Sequence, residues 1–164
     1  MPERVAEPDR LAVLGVPVSA FDSYEHAVAW IGQRVERRAP TFCAAINPEK
    51  IDRAGRDPGL RAVLADADAA LCDGIGVALA AWLLHGRRIP RCTGCDLFSR
   101  LVGQAEARGW SVFLLGASPA SNRGAGRQLL RLHPALKIAG QRDGYFDDPP
   151  AVIRQVNDSG ADLL

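Results

Sequence analysis

The chain has 164 residues, about one ordinary domain, with 48% apolar and 24% charged residues and a formal net charge of +1. That balance supports a real core and gives no global field to recruit nucleic acid. The charged start, M-P-E-R-V-A-E-P-D-R, is no secretory signal, and no apolar run reaches the roughly 20 residues of a membrane span.

In chain order, L-A-V-L-G-V (Leu11–Val16) reads as a strand that Pro17 helps to end. Asp22 or Ser23 then caps an amphipathic helix in which Ala27, Ile31 and Val35 follow helical spacing. T-F-C-A-A-I (Thr41–Ile46) reads as a buried strand, and Asn47-Pro48-Glu49 opens a helix with proline at its first position. A short helix, Leu60–Leu64, leads into the strand Ala69–Cys72. The helix Val77–Leu84 follows, then the basic turn H-G-R-R-I-P-R and a helix Asp96–Arg108 that Gly109 closes. W-S-V-F-L-L-G (Trp110–Gly116) is the clearest strand, and the next helix runs to His133. Leu136–Ala139 is a short strand, Pro149-Pro150 begins another helix, and A-D-L-L looks like a strand starting.

Strands alternating with helices imply βαβ units: an α/β, Rossmann-like fold, mainly a parallel sheet with helices on both faces. No repeat, low-complexity tract or linker interrupts it, so residues 1–164 read as one domain. Stopping inside a strand is expected of a fragment of a longer protein, and an open strand edge predicts self-association.

In open α/β sheets ligands bind beyond the carboxyl ends of strands, and three such ends carry polar or glycine-rich punctuation. They are Asn47, Asp73 and Gly116. Asp73 is the single acid in the apolar stretch Ala69–Leu84, and an ionised carboxylate there must be paired, bonded or at a wet edge. Gly74 and Gly76 let the backbone turn and approach a ligand closely. The competing reading, about equally weighted, is that Asp73 only caps the following helix. The turn L-L-G-A-S-P-A-S-N is similar to a phosphate-binding turn but lacks G-x-G-x-x-G and Walker spacing, which favours a plain strand-to-helix turn. Arg87, Arg88 and Arg91 suit a diphosphate through bidentate guanidinium contacts. Arg87 and Arg88 read equally as a solvated loop, whereas Arg91, between Pro90 and a helix start, is better fixed.

Cys92-x-x-Cys95 has no second C-x-x-C and no paired histidines, so metal or redox use ranks low. The four cysteines are too irregular for a secreted disulfide framework, which favours a cytoplasmic, reduced protein. Asp66-Ala67-Asp68 precedes a strand instead of following one and reads as a helix-to-strand turn.

Taken together, I-N-P-E-K-I, C-D-G-I-G-V, R-C-T-G-C-D-L-F, F-L-L-G-A-S and D-G-Y-F resemble the WecG/TagA/CpsF glycosyltransferases in order and spacing, from Leu11 onward. The resemblance implies an inverting, metal-independent transfer with no cofactor. An N-acetylmannosamine-type sugar would pass from a UDP-sugar donor to an undecaprenyl-diphosphate-linked N-acetylglucosamine, in cell-surface polysaccharide or teichoic acid synthesis. By the same resemblance Asp73 is the general base, Arg91 stabilises the departing diphosphate, and Asn47 holds sugar or acceptor. Gly74, Gly116, Gly144 and Tyr145 would frame the substrate. The protein would then be peripheral at the inner face of the cell membrane, meeting it through a basic C-terminal tail. This chain stops at Leu164, before that tail and before a G-x-P-x-Q-E segment, and has Ala45 where family members usually have threonine. Both departures support the main rival, a non-catalytic nucleotide-binding domain. A redox protein using Cys92 and Cys95 is a third, weaker reading.

Overall fold

The computed structural model describes residues 5–164, which form two compact units, one up to Phe98 and one from Ser99 onward. The first unit opens with a β-hairpin, β1 (Asp9–Val13) and β2 (Val16–Ala20), paired antiparallel. This corrects the single strand expected over Leu11–Val16. Leu14 and Gly15 both have positive φ, 50° and 80°, the geometry of the tight two-residue turn whose twist matches its strands. Pro17 does not end the strand but sits inside β2 opposite Ala12. Next to a closing Val13–Val16 pair, ladder alternation makes Ala12–Pro17 a pair without hydrogen bonds, so the missing N–H is not needed. The sequence hid the turn because leucine stands where asparagine or aspartate usually signals it.

Helix α1 (Tyr24–Glu36) is capped by Ser23, whose hydroxyl accepts from the His26 N–H, and it buries Ala27 and Ile31 as the spacing predicts. Strand β3 (Cys43–Ile46) is shorter than expected and leads into α2 (Pro48–Arg56), α3 (Pro58–Ala65) and β4 (Ala69–Cys72). β3 and β4 are parallel, with Ile46 opposite Cys72, so this is a βαβ-type unit with two helices in its crossover. Asp66 ends α3, and Asp68 accepts from the Phe42 N–H at 2.8 Å, so the D-x-D is the expected helix-to-strand turn. β2 docks beside β4 through the Ser19 hydroxyl, which accepts from the buried Ala70 N–H at 3.0 Å. Val13, Val16, Val18, Ile46, Cys72 and Val77 form the centre of this unit's core. Helix α4 (Ile75–His85) follows β4 and ends at Gly86 in the left-handed conformation.

Helix α5 (Gly94–Arg108) begins in the first unit and ends in the second. There β5 (Ser111–Leu115), α6 (Pro119–Leu132) and β6 (Lys137–Arg142) make a second parallel βαβ unit, followed by α7 (Pro149–Ser159). β6 reaches three residues beyond its expected end and absorbs an irregularity opposite Val112 and Phe113. The closing A-D-L-L pairs in parallel on β5: Leu163 bridges Val112, and the Asp162 carboxylate accepts from the Ser111 N–H at 2.8 Å. The fold is therefore α/β with parallel strand pairs and seven helices among the described residues, as a Rossmann-like pattern requires. None of those helices is long and apolar enough to cross a membrane.

Candidate active site

The parallel register of β3 and β4 does the first piece of positioning. Ile46 and Cys72 are the last paired residues, and the Asp73 N–H still donates to the Ile46 carbonyl at 2.8 Å. Asn47 and Asp73 therefore leave the carboxyl edge of neighbouring strands side by side. On the other side of β4 the Cys92 N–H donates to the Cys72 carbonyl at 2.7 Å, which draws Arg91 to the same edge. Asp73 and Arg91 both act on the Cys72 thiol there. Burial pushes that thiol up to about 11, a backbone hydrogen bond with Gly74 pulls against the rise, and Asp73 adds to it while Arg91 opposes it.

Asp73 is not the cap of α4. The N-cap is Gly74, at φ 155°, and no side chain caps the helix. A β-carbon at Gly74 would stand 3.2 Å from Pro48 Cδ in a backbone region closed to other residues, so glycine is required at this point. With no capping side chain, the first-turn amides and positive dipole end of α4 are left facing the edge that holds Asp73. Asn47, in contrast, does cap α2: its Oδ1 accepts from the Lys50 N–H at 2.9 Å. That leaves its Nδ2 as the donor for anything outside. Lys50, which the sequence reading did not single out, places its ammonium on the Ala45 carbonyl at 2.8 Å, close to Asn47.

The segment carrying Arg91 is held from behind. Buried Thr93 accepts from the Asp96 N–H at 3.1 Å and donates back to the Asp96 carboxylate at 2.8 Å. Tyr24 accepts from the Thr93 N–H at 2.9 Å and donates to the same carboxylate at 3.1 Å. The T-x-x-D spacing was the available signal for this reciprocal cap, whereas Tyr24, 69 residues away, had none. Cys92 is buried, Cys95 is exposed, and neither is disulfide-bonded. Among the described residues no three His, Cys, Asp or Glu side chains are grouped as a metal site requires.

In the second unit the other expected residues form their own cluster. Gly116, at φ 119°, donates its N–H to the Arg142 carbonyl, and the Gly144 N–H donates to the Ala117 carbonyl, both at 2.9 Å. A β-carbon at Gly144 would meet Gly116 Cα at 3.2 Å, so the two loops touch backbone to backbone. Buried Asn122 ties this together: its Nδ2 donates to the carbonyls of Leu114, Gly116 and Arg142 at 3.0–3.1 Å. Tyr145 is exposed beside it.

A family model described as "Glycosyl transferase WecG/TagA/CpsF family" matches residues 11–164. The chain belongs to that family. Two relatives carry the name N-acetylglucosaminyldiphosphoundecaprenol N-acetyl-beta-D-mannosaminyltransferase. The Bacillus subtilis strain 168 protein is 30% identical over 130 residues, 79% of this chain and 51% of its own length. The Bacillus spizizenii strain W23 protein is 32% identical over 130 residues, with the same shares. The chain thus spans about half the length of the curated relatives it matches. The family match covers all five motifs, and three of them bring Asn47, Asp73 and Arg91 to one strand edge.

Proposed function

We propose that this chain carries the donor and catalytic part of a glycosyltransferase that moves an N-acetylmannosamine-type sugar from UDP to a lipid-diphosphate-linked N-acetylglucosamine. The observation that carries the proposal is the meeting of Asn47, Asp73 and Arg91 at the carboxyl edge of β3 and β4 in a chain of this family. The acceptor hydroxyl attacks the anomeric carbon from the face opposite the diphosphate. The new C–O bond forms as the bond to UDP breaks, and UDP leaves with the electron pair. Asp73 takes the hydroxyl proton, with Asn47 Nδ2 orienting sugar or acceptor. Arg91 and the uncapped amides of α4 meet the negative charge growing on the diphosphate, a role open to guanidinium groups and helix N-termini without a metal. In the second unit, taken by itself, the Gly116–Gly144 turn and the exposed Tyr145 offer backbone and ring surface of the kind a nucleotide uses.

The test is UDP release from UDP-N-acetylmannosamine with and without the lipid-diphosphate acceptor, in EDTA and in magnesium, alongside calorimetric titration with UDP. Acceptor-dependent release that survives EDTA is expected. UDP affinity without turnover would favour the non-catalytic nucleotide-binding reading that Ala45 supports. Loss of affinity on chelation would refute the metal-independent mechanism.

A further inference from the structure

Helix α4 carries no charged side chain from Ile75 to Leu84, and only one side of it is used by the core. Val77 and Ala81 are buried, while Ile75, Leu79, Trp82 and Leu83 are 77%, 52%, 44% and 67% exposed. At 100° per residue those four lie on the face opposite Val77 and Ala81. The apolar surface continues over Gly76 and Ala80 into a groove of about 470 Å³ that Leu14 lines at the hairpin tip. Directly after the helix come Arg87 and Arg88, both exposed, with Arg87 3.2 Å from the exposed Asp9.

We infer that this face of α4 docks on an anionic lipid surface. An apolar stripe ending in arginines is the pattern of a helix lying in the interface plane, with basic groups at headgroup level. Trp82, on the last turn beside those arginines, is the side chain type that favours the same level. Four exposed side chains on one helix make a small patch beside the roughly 20–30 residues, about 800 Å² per partner, of a standard protein interface. The absence of charges along α4 also leaves nothing to fix the register of a partner helix. The inference stands on the surface of α4 and not on the transfer reaction, so either can fail without the other.

Trp82 is its own probe, because Trp30 and Trp110 are buried. With vesicles of phosphatidylcholine containing phosphatidylglycerol, the chain is expected to float with the lipid and its emission to shift to the blue. Pure phosphatidylcholine should give a weaker effect, and added salt should reduce the anionic component. Leu79→Glu and Leu83→Glu change exposed positions, so melting should be preserved while vesicle partition falls at least tenfold. Neutralising both arginines, Arg87→Gln with Arg88→Gln, should lower partition into anionic vesicles about 25-fold. No flotation and no shift of the wild-type chain would overturn the inference. So would a lipid-free shift that grows with protein concentration and disappears in Leu83→Glu, which marks a second copy as the occupant. Trp82 emission shielded from iodide in dilute, lipid-free protein would overturn it too, because another segment would then cover the face.

Discussion

Asp73→Asn separates chemistry from architecture at the candidate site. The fold uses Asp73 through its backbone N–H, which donates to Ile46, and asparagine keeps that group. No side chain caps α4, so the carboxylate contributes no cap bond to lose. The expected stability change is below ~0.5 kcal/mol, the usual size for a substitution away from a cap or core. For a chain of this length that is a melting shift below ~2 °C. What asparagine cannot do is take a proton from the acceptor hydroxyl. Losing a general base slows transfer by roughly 10²–10⁴-fold, equivalent to about 2.7–5.5 kcal/mol of barrier. The assay is the initial rate of acceptor-dependent UDP release, in the longest form of the protein that turns over, with UDP affinity and melting temperature measured in parallel. A mutant rate within about threefold of wild type, ~0.65 kcal/mol, would refute the assignment. A melting loss of several degrees would refute the structural half.

Asn47→Ala is expected to behave differently, because Asn47 does cap α2: a loss of about 1 kcal/mol and a melting point lower by roughly 2–4 °C, read by calorimetry, should accompany any loss of transfer. Leu14→Asn should stabilise the hairpin, since leucine at φ 50° carries the left-handed penalty of about 1 kcal/mol that asparagine largely avoids; an unchanged or lower melting temperature would contradict this. Burial comes first in raising both Cys43 and Cys72 to about 11, with Asp68 adding at Cys43. Their thiolates are thus disfavoured in the folded chain, so the associated stability is complete below the unfolded value of 9.0 and is lost as pH rises toward 11. Thiol labelling at pH 8 should therefore modify exposed Cys95 first, and denaturant melts from pH 8 to 11 should show the decline.

Much of the fold was legible because period and punctuation agreed. Proline at the first helical position after Asn47, the serine cap of α1 and the glycine after α5 all stand where local sequence puts them. The hairpin was not legible, since its turn is built on leucine and its proline sits at a position that needs no N–H. At the site, strand ends could be named from the sequence, but their proximity depends on register. A slip of β3 against β4 would part Asn47 from Asp73, and nothing local specifies that pairing. Arg91 is harder still. It reaches the edge beside the Cys92–Cys72 backbone bond, made by a segment that is not a strand and has no periodic pattern to read.

The motif carrying Arg91 also shows why a run of recognisable residues is not a run of reacting ones. In R-C-T-G-C-D, Thr93 and Asp96 spend their hydrogen bonds on each other and on Tyr24. Gly94 lies against Ala45, where an added β-carbon would come 3.6 Å from the alanine Cβ. Cys92 and Thr93 are buried, and Asp96, though exposed, is tied to Thr93 and Tyr24, whereas Arg91 is exposed at the strand edge. The same division holds in the second unit, where Asn122 commits one amide nitrogen to three carbonyls and so fixes the Gly116 turn without itself reaching solvent. Thr93 and Asn122 are therefore positioning residues. Replacing either should loosen a whole segment, altering substrate affinity and rate together, whereas loss of the Asp73 carboxylate should alter rate alone.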